Sequence, residues 1–474
     1  MKNNKLKQNR ILRSIVACLS LSLMASASVQ AASSTAELEQ KLEAMSKELA
    51  ATKAALQASE QKRIEAEKTV QNIPSAQKVT ELEAKLASSA DTGPSKITPG
   101  DLIPALEGLT IGGAIRANYF GGDYTDASPA TSADAEADGT IALDVFRINL
   151  DYNRDNWLGK FEYRIYQGYL ARDSYHFLHT GWLGYDFEDA GVVQVGVNRV
   201  PFGPGAYGIS QSWFFDQHYY IGLSDDMDLG VKYSDTKGKL SYDLAYYFSD
   251  EGSWSGSTSD SARYSYDVVD ETGNGYEERN QFNARAVYAM EFEDMTIDLG
   301  ASAQFGLMKS NGPQDDGEHY AVSLHPVLKW NNWTFSPQLT YYKYDIDGYL
   351  AGDPNGDLIQ LGAYDFPTTA ATEAWIAAAS LSYYHEISAV DWVDYVIPYV
   401  EYSSIMKEAS GFNDSDLMTI GAAWGRGGWY IYTEVARSNG NDFVGNETGF
   451  VSRFGSNPND GWQTRFNINI GYYF

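Results

Sequence analysis

The C-terminal segment constrains the fold of this chain more than any other part of the sequence. Residues 461–474 alternate apolar and polar side chains and end on an aromatic carboxy-terminal residue. Because successive side chains of a β-strand point to opposite faces, this pattern predicts a strand with one apolar and one polar face. The apolar face would carry Trp462, Thr464, Phe466, Ile468, Ile470, Tyr472 and Phe474. Soluble sandwiches and membrane-spanning barrels both use such strands, so the rest of the chain must distinguish them.

Segments with similar alternation recur along the chain after residue 106. Sixteen candidate strands lie near residues 109–121, 139–154, 158–169, 175–188, 192–200, 228–235, 239–249, 279–293, 296–309, 318–331, 333–346, 371–387, 391–405, 416–426, 428–438 and 461–474. An even number of strands is typical of bacterial outer-membrane barrels. Tight turns such as Asp155-Asn156 and Thr236-Lys237 alternate with long loops such as 201–227 and 250–278. This alternation predicts a meander with short turns at one rim and long loops at the other.

Hydropathy indicates strands as the membrane-spanning elements. The mean hydropathy is −0.37, and no apolar run of transmembrane-helix length occurs after the N-terminal segment. An open sheet edge would leave backbone N–H and C=O groups unpaired in lipid, whereas a closed barrel pairs them. We therefore predict an all-β fold, a 16-stranded antiparallel transmembrane β-barrel formed by residues 107–474. A soluble periplasmic β protein is the alternative.

The N-terminal part of the chain has a different organisation. Residues 1–31 combine five basic residues, an apolar stretch and small residues before Ala32, as in a secretory signal peptide. Apolar residues then recur at spacings of three and four between Glu and Lys, so residues 32–92 are predicted to form a short periplasmic coiled-coil helix. An amphipathic helix packed on another surface, or a partly disordered spacer, is the alternative. Residues 93–106 contain Gly and Pro and are predicted to be a linker.

Charge and motif content exclude several functions. Lys and Arg total 35 against 63 Asp and Glu, so the formal net charge is −28 and nucleic-acid binding is not expected. None of the six histidines lies in a recognisable nucleophile motif, and His176 and His179 would point to opposite faces of a strand. The stretch Asp353–Asp357 has oxygen ligands at alternate positions, but the glycine that should follow Asp357 and the distal glutamate of a calcium-binding loop are missing. We expect no enzymatic activity, no cofactor and no metal.

The register of each predicted strand assigns its charged residues to the interior of the barrel. Phe146 and Ile148 are assigned to the lipid face, for example, so Arg147 points inward. A charged side chain on the lipid face near the midplane would cost about 2–4 kcal/mol. The predicted pore lining, in which Arg and Lys outnumber the acids, comprises Arg116, Arg147, Lys160, Arg164, Arg199, Lys232, Arg285, Lys329 and Arg465. Most of the negative charge is then expected in the long loops.

The long segment that follows the fifth predicted strand is rich in turn-forming and aromatic residues. It runs from Val200 to Leu223, and such a loop can fold into a barrel and narrow it. The residues predicted to form this constriction are Trp213, Phe214, Phe215, Asp216, Tyr219 and Tyr220. The alternative is that the rings belong to the aromatic girdle at the membrane interface or cover the rim.

Two motifs around this segment resemble a known family. Val197-Asn-Arg-Val-Pro-Phe-Gly203 precedes the aromatic stretch, and Gly222-Leu-Ser-Asp-Asp-Met-Asp-Leu-Gly-Val231 follows it. Both are similar to motifs of the phosphate-selective porin O and P family. Arg199 and Asp228 match their family positions, while Met227 stands where a basic residue is expected. The resemblance implies a homotrimer of 16-stranded barrels with an inward loop and basic residues along each pore.

Together these features predict a porin in the outer membrane of a Gram-negative bacterium. It would be a water-filled channel for passive diffusion of small hydrophilic solutes, with anion or phosphate preference as one option. Its partners would be outer-membrane lipid, lipopolysaccharide and the permeating solutes. Two alternatives stay open. One is a sugar-selective channel in which Tyr and Trp rings stack on the solute, and the other is a barrel-anchored tether that acts through the coiled coil.

Overall fold

A computed structural model of the chain describes residues 107–123, 139–167, 174–445 and 450–474. The predicted signal peptide, coiled coil and linker lie outside these described residues. The strands of the described part are β1 (Leu109–Gly122), β2 (Thr140–Arg154), β3 (Trp157–Tyr166), β4 (Tyr175–Asp186), β5 (Val192–Arg199), β6 (Met227–Lys237), β7 (Leu240–Asp250), β8 (Asp267–Val268), β9 (Tyr276–Glu291), β10 (Met295–Ser310), β11 (Gly317–Trp330), β12 (Trp333–Asp345), β13 (Leu358–Ala363), β14 (Phe366–Ala371), β15 (Glu373–Tyr383), β16 (His385–Glu386), β17 (Tyr395–Lys407), β18 (Ser415–Arg426), β19 (Trp429–Ser438) and β20 (Gln463–Tyr473). No helix of the described residues is long and apolar enough to cross a membrane.

Sixteen of the described strands form one closed antiparallel barrel. Each pairs with its neighbours along the chain, and β1 pairs with both β2 and β20. The two-residue strand β16 extends the pairing with β17, and β8, β13 and β14 form a separate three-stranded sheet. The predicted number of wall strands and their antiparallel order are therefore confirmed, with boundaries shifted by a few residues.

The seam between the first and last strands is hydrogen-bonded to the end of the chain. Its register runs from Ala114 opposite Tyr473 to Gly122 opposite Arg465. Beyond Ala114, the Gly113 N–H donates to the Phe474 carbonyl oxygen (2.8 Å), and the Phe474 N–H donates to the Gly113 carbonyl oxygen (3.0 Å). Closure thus satisfies backbone groups that an open sheet would leave at its two edges.

The connections separate the barrel into two different rims. At one rim, two-residue turns join β2 to β3 and β11 to β12, and both residues of the first turn, Asp155 and Asn156, have positive φ as type I′ hairpins require. The turn predicted at Thr236-Lys237 is displaced, because both residues belong to β6 and the turn is Gly238-Lys239. At the opposite rim the connections are long, as predicted. The longest are 200–226, 251–275, 346–372 and 439–462.

The two faces of the wall differ in polarity. The outer face is an exposed apolar surface whose residues include Ile111, Ile115, Leu143, Ile148, Leu183, Val195, Leu229, Leu244, Phe282, Leu299, Val322, Leu324, Ile420 and Ile470. The inner face carries polar and charged side chains, among them Asn118, Asp144, Glu162, Asn283, Gln304, Thr340, Glu401, Glu434 and Asn469. The barrel is therefore inverted relative to a soluble β-barrel, which would place its apolar residues inside.

The long loops pack into the barrel at their own rim. The sheet of β8, β13 and β14 contributes Val268, Ile359 and Leu361 to a buried cluster that also contains the wall residues Tyr342 and Ile376. The hydroxyl group of Tyr342 donates to the carbonyl oxygen of Ala371 in β14 (3.0 Å). Loops and wall thus share one core at this end of the molecule.

Candidate functional site

The connection between β5 and β6, residues 200–226, enters the barrel and is called the inward loop below. Its first part is held by the wall beside its own strands. Arg285 of β9 donates to the carbonyl oxygens of Gly203 (2.7 Å) and Pro204 (2.8 Å), and the Gly203 N–H donates to Ser302 Oγ of β10 (3.2 Å). Gly203 has a φ of +74°, a conformation that favours glycine.

The middle of the inward loop reaches the opposite wall. Ser210 Oγ (2.6 Å) and the Gln211 N–H (2.5 Å) donate to the carboxylate of Glu401 in β17, and the Trp213 N–H donates to Glu434 in β19 (2.8 Å). β17 is eight strand steps from β5 in the closed order of the wall. Since the ring has sixteen strands, the loop crosses the full interior of the barrel.

A third anchor fixes the loop to β12. Asp216 Oδ1 accepts one hydrogen bond from the His218 backbone N–H (2.8 Å) and lies 2.6 Å from His218 Nδ1. The other ring nitrogen of His218 is 2.8 Å from Thr340 Oγ1. The Gln217 N–H donates to Ser403 Oγ of β17 (3.0 Å). The loop conformation is thus set by polar contacts with several separate wall strands.

The aromatic residues predicted to form a constriction lie in this loop, but most of them do not face open space. Phe214, Tyr219 and Tyr220 are buried in the loop core, Asp216 is buried beside them, and Trp213 and Phe215 are partly buried. Phe215 stacks on Tyr219 with ring centroids 4.2 Å apart. The rings therefore pack within the loop and its surrounding core.

The tyrosines around the inward loop form a neutral hydrogen-bonded cluster. The hydroxyl groups of Tyr219 and Tyr364 are hydrogen-bonded to each other, and Tyr264 packs against both rings. Burial raises the pKa of Tyr219, Tyr264 and Tyr364 well above the ordinary value. These hydroxyl groups therefore remain protonated at neutral pH and act as hydrogen-bond donors.

The structure places the nine predicted pore-lining bases on the inner face of the wall. Several are paired with inward carboxylates, as in Arg147 with Glu162 (3.5 Å), Lys160 with Asp151 (3.7 Å) and Lys329 with Asp298 (3.9 Å). Acids on the same face include Asp144, Asp151, Glu162, Asp228, Asp243, Asp298, Glu401 and Glu434. Folding thus brings a set of acids of similar size to the same surface, so any excess of basic over acidic residues on the wall is small.

The bases differ in their access to the interior. Arg164 and Arg465 are buried; Arg164 binds Glu162 (2.6 Å), and Arg465 lies over the rings of the inward loop. Lys232 donates to the carbonyl oxygen of Arg199 (2.7 Å), and Arg285 pairs with Asp243 (3.2 Å) in addition to its contacts with the loop. The side chains of these four residues are therefore engaged in contacts that hold the loop and the wall in place.

In three ion pairs the cation is more exposed than the carboxylate. The side chain of Arg199 is 33 % exposed while its partner Asp225, at 2.7 Å, is 0 % exposed. Arg116 is 18 % exposed against 8 % for Asp144 (3.0 Å), and Arg147 is 19 % exposed against 6 % for Glu162. In each pair the guanidinium group therefore lies between the carboxylate and water.

Residues that the sequence analysis did not single out complete the site. Tyr207 of the inward loop is 54 % exposed and lies under the Arg199 guanidinium group, 5.5 Å from the ring centroid. Glu401, which anchors the loop, was also missed. Its inward position follows from the strand period, since Val400 and Tyr402 are exposed on the outer face. No local signal in the sequence marks Tyr207.

Comparison with known proteins gives similarity in structure only. No protein-family model matches the chain, and no curated protein matches its sequence. Among solved structures, the outer membrane channel DcaP of Acinetobacter baumannii is similar with a TM-score of 0.49 at 10 % identity, over 77 % of this chain and 97 % of that one. The trimer form of OmpT of Vibrio cholerae gives 0.47 at 14 % identity, and an anion-selective porin from Comamonas acidovorans gives 0.45 at 13 %, each over 77 % of this chain and 99 % of the other. Similarity at this level does not assign a family.

Proposed function

We propose that this protein is an outer-membrane porin of a Gram-negative bacterium that lets small hydrophilic solutes diffuse through a water-filled channel. The observation that carries the proposal is the inverted barrel, with an exposed apolar wall outside and polar side chains inside. A closed barrel with this polarity is stable in lipid because its backbone groups are paired and its charges face away from hydrocarbon. Lipid and lipopolysaccharide would surround it.

The inward loop would set the width of the channel. It spans the interior from β5 to β17 and β19, so any solute has to pass beside it. Arg199 and Tyr207 are among the side chains that remain partly exposed next to it. These two residues, together with Arg116 and Arg147, would border the path.

A preference for anions follows from the orientation of the ion pairs. A passing ion would meet the guanidinium groups of Arg116, Arg147 and Arg199 at shorter range than the carboxylates behind them. Since Coulomb energy falls with distance, the nearer charge dominates even when the pair is neutral. The preference would be moderate, because each carboxylate still offsets part of the field.

The alternatives receive less support from the structure. A sugar-binding surface needs aromatic faces open to the solute, whereas Phe214, Tyr219 and Tyr220 are buried and Tyr207 is the one exposed ring among the described residues of the inward loop. The tether function depends on residues 32–92, which lie outside the described residues. The homotrimer implied by the O and P porin resemblance remains part of the proposal.

Planar-bilayer recording of the full chain, refolded in detergent, tests the channel. We expect stepwise increases of conductance in KCl, in groups of three if the protein inserts as a trimer. Folding is checked independently by the change in electrophoretic mobility that boiling causes in a folded barrel. A correctly folded protein that inserts into the bilayer without conducting ions would overturn the proposal.

Charge selectivity has its own test. The reversal potential in a KCl gradient should shift towards cation preference in Arg199→Gln, because the most exposed guanidinium group is removed. The double variant Arg199→Gln/Asp225→Asn removes the pair without leaving a buried carboxylate and should shift it in the same direction. Lys309→Gln, at an exposed pair with Asp316 on the long-loop rim, is the matched control and should leave it unchanged. An unchanged potential in both Arg199 variants contradicts the assignment.

A further inference from the structure

A group of buried carboxylates lies where the inward loop rejoins the wall. Asp226 is the last residue of the loop, Asp228 belongs to β6, and Asp267 belongs to β8 in the neighbouring long loop. One carboxylate oxygen from each of the three lies within 4.8 Å of the others. The side chains are almost completely buried, with exposures of 5 %, 1 % and 2 %. Two segments that are separate in sequence therefore converge on one point.

A fourth carboxylate adjoins the group. Glu251 is itself buried, and its carboxyl group interacts electrostatically with the carboxyl groups of Asp226 and Asp267. Its Oε1 accepts the Ser265 N–H (2.9 Å), and Ser265 Oγ accepts the Met227 N–H (2.9 Å). These backbone contacts fix the positions of the carboxylates from both sides.

Several of these oxygens have no donor. Asp226 Oδ1, Asp228 Oδ1 and Glu251 Oε2 are enclosed and lack a hydrogen-bond partner among the described residues. The other Asp228 oxygen accepts Gln281 Nε2 (2.9 Å). A buried carboxylate oxygen without a partner is costly, because it has lost its hydration and gained nothing in exchange. Asp226 and Asp228, two of the three clustered residues, therefore each keep one such oxygen, which indicates a missing positive partner.

Within the part of the chain that the structure describes, no Lys or Arg supplies that partner to the whole group. Arg263 is the guanidinium group at this position, and it binds Asp250 (3.0 Å) and Asp267 (3.1 Å) and also pairs with Asp260. Arg263 therefore forms an ion pair with one carboxylate of the group and with two carboxylates outside it. Asp226, Asp228 and Glu251 form no ion pair with a cation among the described residues.

We propose that Asp226, Asp228 and Asp267, assisted by Glu251, bind one calcium ion. Calcium takes oxygen ligands at about 2.4 Å, so two oxygens on opposite sides of the ion are about 4.8 Å apart. The spacing of the three carboxylates fits inside this sphere. Magnesium prefers about 2.1 Å with strict octahedral geometry and retained water, which suits a preformed, enclosed group of carboxylates less well. All of the ligands are oxygen atoms, which excludes a preference for softer metals.

The site would join two loops that are otherwise separate in sequence. Asp226 ends the inward loop, and its carbonyl oxygen accepts the Val200 N–H (2.9 Å) at the start of the same loop. Asp267 lies in the loop between β7 and β9. Calcium bound to both would fix the base of the inward loop. This consequence for conductance rests on the proposed channel, whereas the calcium site itself does not.

Calcium binding can be measured directly on the full chain. The protein is refolded in detergent without lipopolysaccharide, treated with EDTA, exchanged into metal-free buffer at about pH 7.5 and titrated with CaCl2 by calorimetry. We expect one saturable site per chain with a dissociation constant of about 10⁻⁴ M or lower, and at least tenfold weaker binding of MgCl2. The absence of saturable binding would mean that protons neutralise the group and would overturn the site.

Variants locate the site. Asp226→Asn and Asp267→Asn should each weaken calcium binding at least tenfold, because each removes a charged ligand. The control Asp315→Asn/Asp316→Asn removes acids from an exposed loop on the same rim and should bind like the wild type. Equal loss in the control variant, or wild-type binding in both Asp226→Asn and Asp267→Asn, contradicts the assignment.

Thermal unfolding provides a second measurement, which can be interpreted even if a variant is less stable than the wild type. Calcium should raise the unfolding temperature of the wild type, since it binds the folded state only. Asp226→Asn should unfold at a higher temperature than the wild type in EDTA, because repulsion among the buried carboxylates is relieved, and should gain little from calcium. A variant that is destabilised in EDTA and still responds fully to calcium would refute the site. Channel recording then tests the proposed function separately.

Discussion

Replacing Glu401 by alanine tests whether the wall of the barrel holds the inward loop in place. Glu401 points inward from β17, and its carboxylate accepts Ser210 Oγ (2.6 Å), the Gln211 N–H (2.5 Å) and Ser380 Oγ (3.0 Å). The first two donors belong to the loop. Alanine removes the acceptor without introducing a new group that could replace it.

The expected change in the free energy of loop opening follows from the two loop donors that lose their acceptor. A buried donor left unsatisfied costs about 1–3 kcal/mol. Water entering the vacated space would recover part of the loss, so we expect local opening of the loop to become about 3 kcal/mol easier. Since each 1.4 kcal/mol is a factor of ten, this corresponds to about a hundredfold.

Hydrogen–deuterium exchange measures that opening. In Glu401→Ala, peptides that contain Gln211 should exchange about a hundredfold faster if exchange follows the opening equilibrium. Peptides from β10 and β11, which do not contact Glu401, should be unchanged and serve as internal controls. Glu408→Ala, an exposed glutamate just after the same strand, is the matched variant. Single-channel current should also become noisier as the loop fluctuates.

Two results would refute this reasoning. Unchanged exchange at Gln211 in Glu401→Ala would show that the remaining contacts, such as the Trp213 N–H to Glu434, hold the loop alone. Equal acceleration in Glu408→Ala would show that the effect arises from loss of charge and not from the hydrogen bonds.

Two further predictions concern stability. Leu324→Arg places a charge on an outer-face residue that is 61 % exposed and should lower the free energy of unfolding in lipid vesicles by about 2–4 kcal/mol; Leu324→Ala should have a smaller effect, and equal effects would contradict a lipid-facing position. Burial raises the pKa of Asp442 to about 6 despite its hydrogen bond from Thr368. Because the folded state then binds the proton more tightly than the unfolded state, this stabilising contribution is present below about pH 4 and is lost as the pH rises through about 6. Urea unfolding across this range should show the decline in the wild type and a flatter profile in Asp442→Asn, and identical profiles would exclude Asp442 as its cause.

The sequence alone determined the wall of the barrel. Alternation with a period of two, as in residues 461–474, is a local property that fixes which side chains face outward. The number of such segments and the alternation of short and long connections indicated the sixteen strands of the wall, because antiparallel neighbours need only short turns. Residues such as Arg147 and Arg465 could be assigned to the inner face on the same basis.

Long-range contacts determined how the inward loop is anchored and packed inside the barrel. The sequence predicted an inward loop from its composition, but not that Glu401 and Glu434 anchor it from the far side of the ring. These contacts join residues about 190 and 221 positions apart, and no local pattern specifies such a pairing. The same holds for the burial of Tyr219 and Tyr220, whose rings pack on loops elsewhere in the chain.

The pairing of acids with bases inside the barrel could not be predicted from the sequence either. Strand register identifies a base such as Arg199 one residue at a time, yet its field depends on Asp225, which reaches it only when the loop folds back. Likewise, Asp226 and Asp267 are ordinary loop acids in the sequence and become close neighbours only in the folded chain. Local periodicity therefore determined the wall and its two faces. Tertiary structure determined which charges meet inside, because those distances depend on loops that close across the barrel.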